Sequence, residues 1–409
     1  MNTERNKGFW RRTAAILLGI AIQPMFAIAD DWPHWRGPDR TGVSPESGWS
    51  TEGAEDALWR AEVGRGYSAP SIAGGRLYTR GFHVEDEKDG TDITVCLDAL
   101  TGEMLWEHAA PAKLMDNMHG GGTLTTPTVD GDSVYVLSRN GMLWSLAAAD
   151  GEVQWELNLT EELEVEEGFF GLASSPVVLG DELVVNVGVT LCVDKASGER
   201  RWATRDYGYS YGTPAPFQFG DALHLAVFNA IGLTVIDASD GSEVATHDWT
   251  SEYNVNSATP IVVGERIFIS TGYNEKGGRM LELTEEGLGV VWSNRQMNNL
   301  MNGCVLVGDA LYGFDRTQLR CLDLEGEMRW AKRGLGRGTV IASDERLIVL
   351  SEEGELLIGA ASTEGFEEEY RRQVLDGGPC WTTPVLANGL IYCRSSSGEL
   401  VCLDHRGER

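Results

Sequence analysis

Cys96-Leu97-Asp98-Ala99-Leu100-Thr101-Gly102-Glu103-Met104-Leu105-Trp106 is the stretch whose reading decides the fold. It reads as a strand ending in Leu97-Asp98, a tight turn closed by Gly102, and a second strand carrying a large aromatic. Variants return along the chain. Val193-Asp194, Gly198 and Trp202 repeat the pattern, as do Ile236-Asp237, Gly241 and Trp249, and then Leu322-Asp323, Gly326 and Trp330. Looser copies end at Trp155, Trp292 and, with tyrosine in place of tryptophan, Tyr370.

The aromatic landmarks Trp59, Trp106, Trp155, Trp202, Trp249, Trp292, Trp330 and Tyr370 are separated by 47, 49, 47, 47, 43, 38 and 40 residues. A strand-rich period of about 40–45 residues is the signature of propeller blades, each a four-stranded antiparallel sheet. Each unit opens at Pro70, Pro127, Pro176, Pro214, Pro260, Cys304, Thr339 or Pro384 and continues through turns such as Asp130-Gly131 and Asn388-Gly389. Asn-Gly and Asp-Gly are strong hairpin signals because both turn residues adopt positive φ. Eight openings meet only seven complete aromatic endings, since the chain stops at Arg409 before the last unit reaches its aromatic. Trp59 supplies the missing strand from the front of the chain. The sequence thus predicts an all-β, eight-bladed β-propeller whose ring closes through an N-terminal strand, which removes two open sheet edges. The eight aromatics are expected to dock structurally between blades.

Ahead of the ring, residues 1–29 read as a signal peptide. Arg5, Lys7, Arg11 and Arg12 precede an apolar run from Ala14 to Ile22 and an Ala27-Ile28-Ala29 cleavage site. The run is too short to span a bilayer, and the twin arginine leaves the export route open between Sec and Tat. Residues 30–53 form an N-terminal extension whose Trp32-Pro33-His34-Trp35 aromatics are expected to cap an exposed rim, and residues 54–409 form one propeller domain. This organisation predicts a periplasmic or secreted monomer. The formal charge of −29 with no basic cluster disfavours nucleic acid and anionic lipid. Acidic runs such as Glu161-Glu162 and Glu367-Glu368-Glu369 read as solvated charge rather than calcium ligands.

Four of the 7 cysteines (Cys96, Cys192, Cys321, Cys402) occupy one repeat position, which argues for small buried side chains. Cys393 and Cys402 flank a hairpin turn and are candidates for a disulfide. No Cys-x-x-Cys, phosphate-cradling loop or nucleophile–base pair is present, so neither a metal nor a catalytic residue is expected.

A propeller receives ligands at its central channel. The loops entering that channel carry Tyr67, His119, Tyr209, Tyr211, Asn256, Asn302, Arg337 and Trp381. Aromatics with amides and a cation suit a planar anionic or polyhydroxylated ligand, and packing of a crowded funnel mouth explains the same residues without one.

The repeated hydrophobic-Asp, x-x-Thr/Ser-Gly and Trp resembles the tryptophan-docking motif of the quinoprotein (PQQ-type) propeller superfamily, from Trp59 to Arg409. The opening Trp32-Pro-x-Trp-Arg-Gly-Pro resembles the N-termini of PQQ-like repeat proteins. The resemblance implies one of two functions. One is a BamB-like, non-catalytic binding or assembly scaffold of the cell envelope, without a cofactor and with a protein partner or small extracellular ligand. The other is a PQQ-dependent, calcium-containing oxidoreductase of the alcohol dehydrogenase kind with a degenerate site around Arg337, Trp381 and Asn302. Dehydrogenases of the superfamily carry an adjacent cysteine pair, which this chain lacks, so the resemblance leans away from an enzyme.

Overall fold

A computed structural model describes residues 30–407 apart from 87, 116–118 and 167. The predicted signal peptide lies outside the described residues. Eight sheets follow one another along the chain, seven of four strands and one of five. The first full blade runs through Ser71–Ala73, Arg76–Asp86, Asp89–Asp98 and Met104–Lys113, all antiparallel. The eighth combines Val385–Ala387, Leu390–Arg394 and Glu399–Asp404 with the N-terminal strand Trp59–Glu62, in the register Trp59↔Cys402 to Glu62↔Glu399. The ring therefore closes as the sequence requires.

The repeated aspartate has a local job. The Asp98 carboxylate accepts from the backbone N–H groups of Leu100 (3.0 Å) and Thr101 (2.8 Å), and Asp194 does the same for Ala196 and Ser197, both at 3.0 Å. This pins the turn that Gly102 completes at φ +74°. A Cβ on Gly102 would lie 2.7 Å from the Trp59 ring, so the glycine also makes room for the neighbouring blade's indole. Gly151, Gly198, Gly241 and Gly326 stand in the same relation to Trp106, Trp155, Trp202 and Trp292. Each of those indoles donates to a backbone carbonyl one blade on: Trp59 to Ala99, Trp106 to Ala148, Trp155 to Lys195, Trp202 to Ala238 and Trp292 to Leu324, at 2.7–3.1 Å. Trp330 reaches Ser362 at 2.7 Å. Tyr370, opposite Ile358, packs its ring edge-on at 5.4 Å from His405.

Trp249 departs from this scheme. Ala245 pairs with Val235 at the register where Trp106 pairs with Cys96, and Trp249 lies beyond the strand Glu243–Asp248. Its ring is covered instead by the Arg279 guanidinium at 4.2 Å. Trp249 is nonetheless buried in a cluster that joins the fourth and fifth blades, with Leu233, Ile267 and Leu281, and it reaches that place from just past the strand rather than from the register the spacing implied.

All 7 cysteines are free and buried. Cys393 pairs with Val401 while Cys402 pairs with Tyr392. Successive side chains alternate faces, so Cys393 and Cys402 point to opposite sides of the sheet and the candidate disulfide is excluded. Helical structure is confined, among the described residues, to Leu159–Glu162 and two short 3-10 turns.

The N-terminal extension is a fixed part of the molecule. Trp32 bridges Ile72, the Pro33 carbonyl accepts from Val129 N–H (2.8 Å), and Arg40 donates to the Val178 carbonyl (3.0 Å). Buried Arg36 donates to the Cys304 carbonyl (2.7 Å), and Val43–Ser44 adds a parallel fifth strand beside Ala342 and Ser343. The Glu46 carboxylate accepts from the N–H groups of Asn388 and Gly389, both at 2.7 Å. Together with Trp35, these contacts touch seven blades and cross one end of the central channel.

Candidate functional site: an aromatic axial funnel

The residue before each blade-opening proline is small or hydroxylated because it faces the axis. The Ala69 N–H donates to the Thr126 hydroxyl, Thr126 N–H to Ser175, and Ser175 N–H to Thr213, at 3.0–3.3 Å. Each link satisfies an inner backbone group that water cannot reach, and ties one blade to the next. The Trp35 indole donates to the Thr259 hydroxyl (3.0 Å) in the same tier. This hydroxyl ring and Trp35 form the floor of a funnel enclosing about 980 Å³ including its open mouth.

Above the floor the wall is aromatic. Tyr67 and Trp381 stack with ring centres 5.7 Å apart and planes 17° from parallel. His119 stacks on Phe170 (5.4 Å) and meets Trp381 edge-on (5.2 Å). Phe170 meets Tyr211 edge-on at 5.8 Å. The chain of rings therefore joins the entries of the eighth and first blades to those of the second, third and fourth. Polar contacts hold it in place. The Tyr67 hydroxyl donates to the His119 carbonyl, and Asn302 donates to the Trp381 carbonyl (2.8 Å). The Trp381 indole donates to one Glu352 oxygen (2.9 Å), while the other accepts the Arg337 N–H (3.0 Å). Arg139, almost wholly buried, donates to the carbonyls of Phe170 (2.7 Å) and Gly122 (3.0 Å). Gly171, at φ +76°, permits this approach, since a Cβ there would fall 2.3 Å from Arg139 Cγ.

The funnel wall contains Arg139 and His119 but no aspartate or glutamate among the described residues. Burial raises the pKa values of the lining Tyr211 and Tyr273 phenols, so both are neutral hydrogen-bonding groups near pH 7. A calcium ion takes six to eight oxygen ligands, several of them carboxylate. No group of three or more histidine, cysteine, aspartate or glutamate side chains converges among the described residues. The described wall residues accordingly do not fit a calcium-held quinone.

Of the sequence-selected residues, Tyr67, His119, Tyr211, Asn302 and Trp381 line the funnel together. Arg337 lies outside the lining, its guanidinium 5.6 Å from the Trp381 ring centre. Asn256 is buried in the scaffold, where its amide donates to the carbonyls of Asn229 (2.8 Å) and Trp249 (3.0 Å). Tyr209 sits on the surface and donates to Glu166 (3.3 Å). Sequence reasoning missed Trp35, Arg139, Tyr273 and Met301 as lining residues. Only the hydroxyl tier had a signal, the small polar residue ahead of each proline.

A family model described as outer membrane protein assembly factor BamB matches residues 50–208 and 192–332. None of the curated proteins matches the chain in sequence. Among solved structures, BamB from Moraxella catarrhalis is similar over 87% of this chain and 98% of its own, with TM-score 0.61 and 15% identity. A europium-containing methanol dehydrogenase gives TM-score 0.69 at 10% identity over 92% of this chain and 98% of its own. The quinohemoprotein alcohol dehydrogenase from Comamonas testosteroni gives 0.63 at 12% identity, covering 93% of this chain and 81% of its own. At these identities the likeness is one of fold.

Proposed function

This chain belongs to the propeller family described as outer membrane protein assembly factor BamB, and from that premise we propose that it is a non-catalytic binding or assembly scaffold of the cell envelope. It takes its partner at the open mouth of the axial funnel. The observation that carries the reading is the funnel itself, closed at one end by residues 32–46 and lined by stacked aromatics with no carboxylate among the described residues. Such a wall offers apolar area and fixed hydrogen-bonding groups, the ingredients of recognition, and lacks an acid–base pair for catalysis. No helix among the described residues is long and apolar enough to cross a membrane. The basic, apolar and small-residue order of residues 1–29 supports export to the periplasm or beyond.

The competing reading, a quinone-dependent alcohol oxidoreductase, draws on the dehydrogenase fold likeness and on the flat Tyr67–Trp381 pair. Purified protein supplied with PQQ and calcium separates the two. The scaffold reading expects no rise in melting temperature and no dye-linked alcohol oxidation; either response would overturn it. The positive test is capture of envelope proteins on immobilised protein, compared with Phe170→Ala/Trp381→Ala. A partner held by both forms alike would place binding away from the funnel.

A further inference from the structure

The apolar character of the funnel does not stop at its mouth. Phe169 packs against the lining Phe170 with ring centres 4.9 Å apart, yet is 58% exposed. Tyr253, two residues before the lining Val255, is 79% exposed, and Tyr209, two residues before the lining Tyr211, is 36% exposed. Tyr253 holds φ at 58°, a backbone region costly for a bulky residue, and packing within the chain gives it no cover in return. The three aromatics stand on successive inter-blade loops, so they rim one side of the opening. Solvent exposure of aromatics around a desolvated pocket is the arrangement of an interface whose partner inserts a side chain.

Charge on that rim is one-sided. In sequence, residues 160–170 contain Glu161, Glu162, Glu164, Glu166 and Glu167 and neither lysine nor arginine, and Asp206 and Glu252 flank Tyr209 and Tyr253. The nearby cations are already engaged. Arg205 pairs with Glu243 at 3.0 Å, and Lys276 lies over the Trp249 ring at 5.6 Å. Resting on the scaffold reading above, the geometry points to one occupant: a protein segment that inserts an aromatic side chain into the funnel and sets flanking lysines or arginines against the acidic loops between the second and fifth blades. An apolar probe alone leaves the carboxylates unanswered, and a basic segment without an aromatic leaves the funnel empty.

The probe is a set of pentapeptides, acetyl-Gly-Lys-Phe-Lys-Gly-amide and its Glu-Phe-Glu and Lys-Ala-Lys counterparts, titrated by calorimetry into the full chain. Because burying one aromatic ring is worth about 1.5–3 kcal/mol, the Lys-Ala-Lys peptide should bind roughly tenfold to a hundredfold more weakly. Exchanging both lysines for glutamate should weaken binding by about tenfold at low salt, and that difference should shrink at 1 M salt. The double variant Phe169→Ala/Tyr253→Ala, which changes only exposed rings, should lose affinity several-fold with an unchanged melting temperature. Absence of binding at millimolar peptide, equal affinity for lysine- and glutamate-flanked peptides, or an unaffected double variant would each overturn the proposal. So would p-cresol binding as tightly as the peptide, which would make the funnel a small-molecule site. An envelope partner retained by Phe169→Ala/Tyr253→Ala but lost by Phe170→Ala/Trp381→Ala leaves the scaffold reading intact while refuting this one.

Discussion

Replacing Trp59 with alanine tests how the ring is held shut. The indole is 8% exposed, donates to the Ala99 carbonyl at 3.0 Å, covers Gly102, and lies 5.9 Å from the Tyr392 ring. Removing a buried tryptophan costs roughly 3–5 kcal/mol, a large part of the 5–15 kcal/mol by which domains are stable. Trp202→Ala is the matched control, with the same 8% exposure and an equivalent bond to Ala238 at 3.1 Å. The two should destabilise alike in urea titrations. They should differ in where the damage spreads, because the strand Arg200–Ala203 follows its blade partner directly in sequence, whereas Trp59–Glu62 reaches Glu399–Asp404 only by closing the ring. Hydrogen exchange in residues 399–404 should therefore accelerate in Trp59→Ala and not in Trp202→Ala. A loss below about 1 kcal/mol with unchanged exchange at 399–404 would refute the argument.

Gly102→Ala should destabilise more than Gly74→Ala, measured as the difference in urea midpoints. Both sit at positive φ, costing about 1 kcal/mol each for alanine, but only Gly102 has an indole in the way of its Cβ. Burial raises the Glu46 pKa to about 7 against the lowering effect of the Gly389 and Asn388 N–H groups. The neutral form is thus favoured in the folded state, so this group's contribution is complete below its ordinary value near 4.5 and is lost as pH rises through 7. The stability of the parent protein should fall relative to Glu46→Gln between pH 5 and 8, and parallel profiles would exclude Glu46 as the cause. His34 runs the other way: burial, and then the nearby Arg40 charge, lower its pKa to about 3. Its contribution is present above 6.5 and lost as pH falls towards 3, so His34→Gln should flatten the acid limb of the melting-temperature profile.

The ring was legible because its cause is repeated: an aspartate that pins a turn, a glycine that clears space, and an indole that fills it. The same reliance on spacing misplaced Trp249, since the fourth blade keeps Ala245 at the docking register and sets a tryptophan just past the strand. The funnel was half legible. Tyr67 and Trp381 sit at blade entries, so the period pointed them inward, whereas Asn256 turns back to bond Asn229 and Trp249. Trp35 was expected only as part of a rim cap; its seat in the funnel floor was not readable, because the extension repeats nothing and its contacts span hundreds of residues, from Thr259 for Trp35 to Cys304 for Arg36. Neither the register between two strands nor a buried arginine's choice of carbonyl is written in spacing. The first removed the Cys393–Cys402 pairing, and the second fixes Arg139 against Phe170.

Closure of the ring by its own N-terminal strand underlies the funnel, and a paired-cysteine crosslink measures it directly. Glu62 and Glu399 face each other in register on the closing pair, while the 7 native cysteines are buried and slow to react. In Glu62→Cys/Glu399→Cys, mild oxidation should join the two positions, giving a faster-migrating band on a non-reducing gel and a disulfide-linked peptide spanning 62 and 399. Two thiols that remain separately labelled, with the fold intact, would contradict the closed eight-bladed ring.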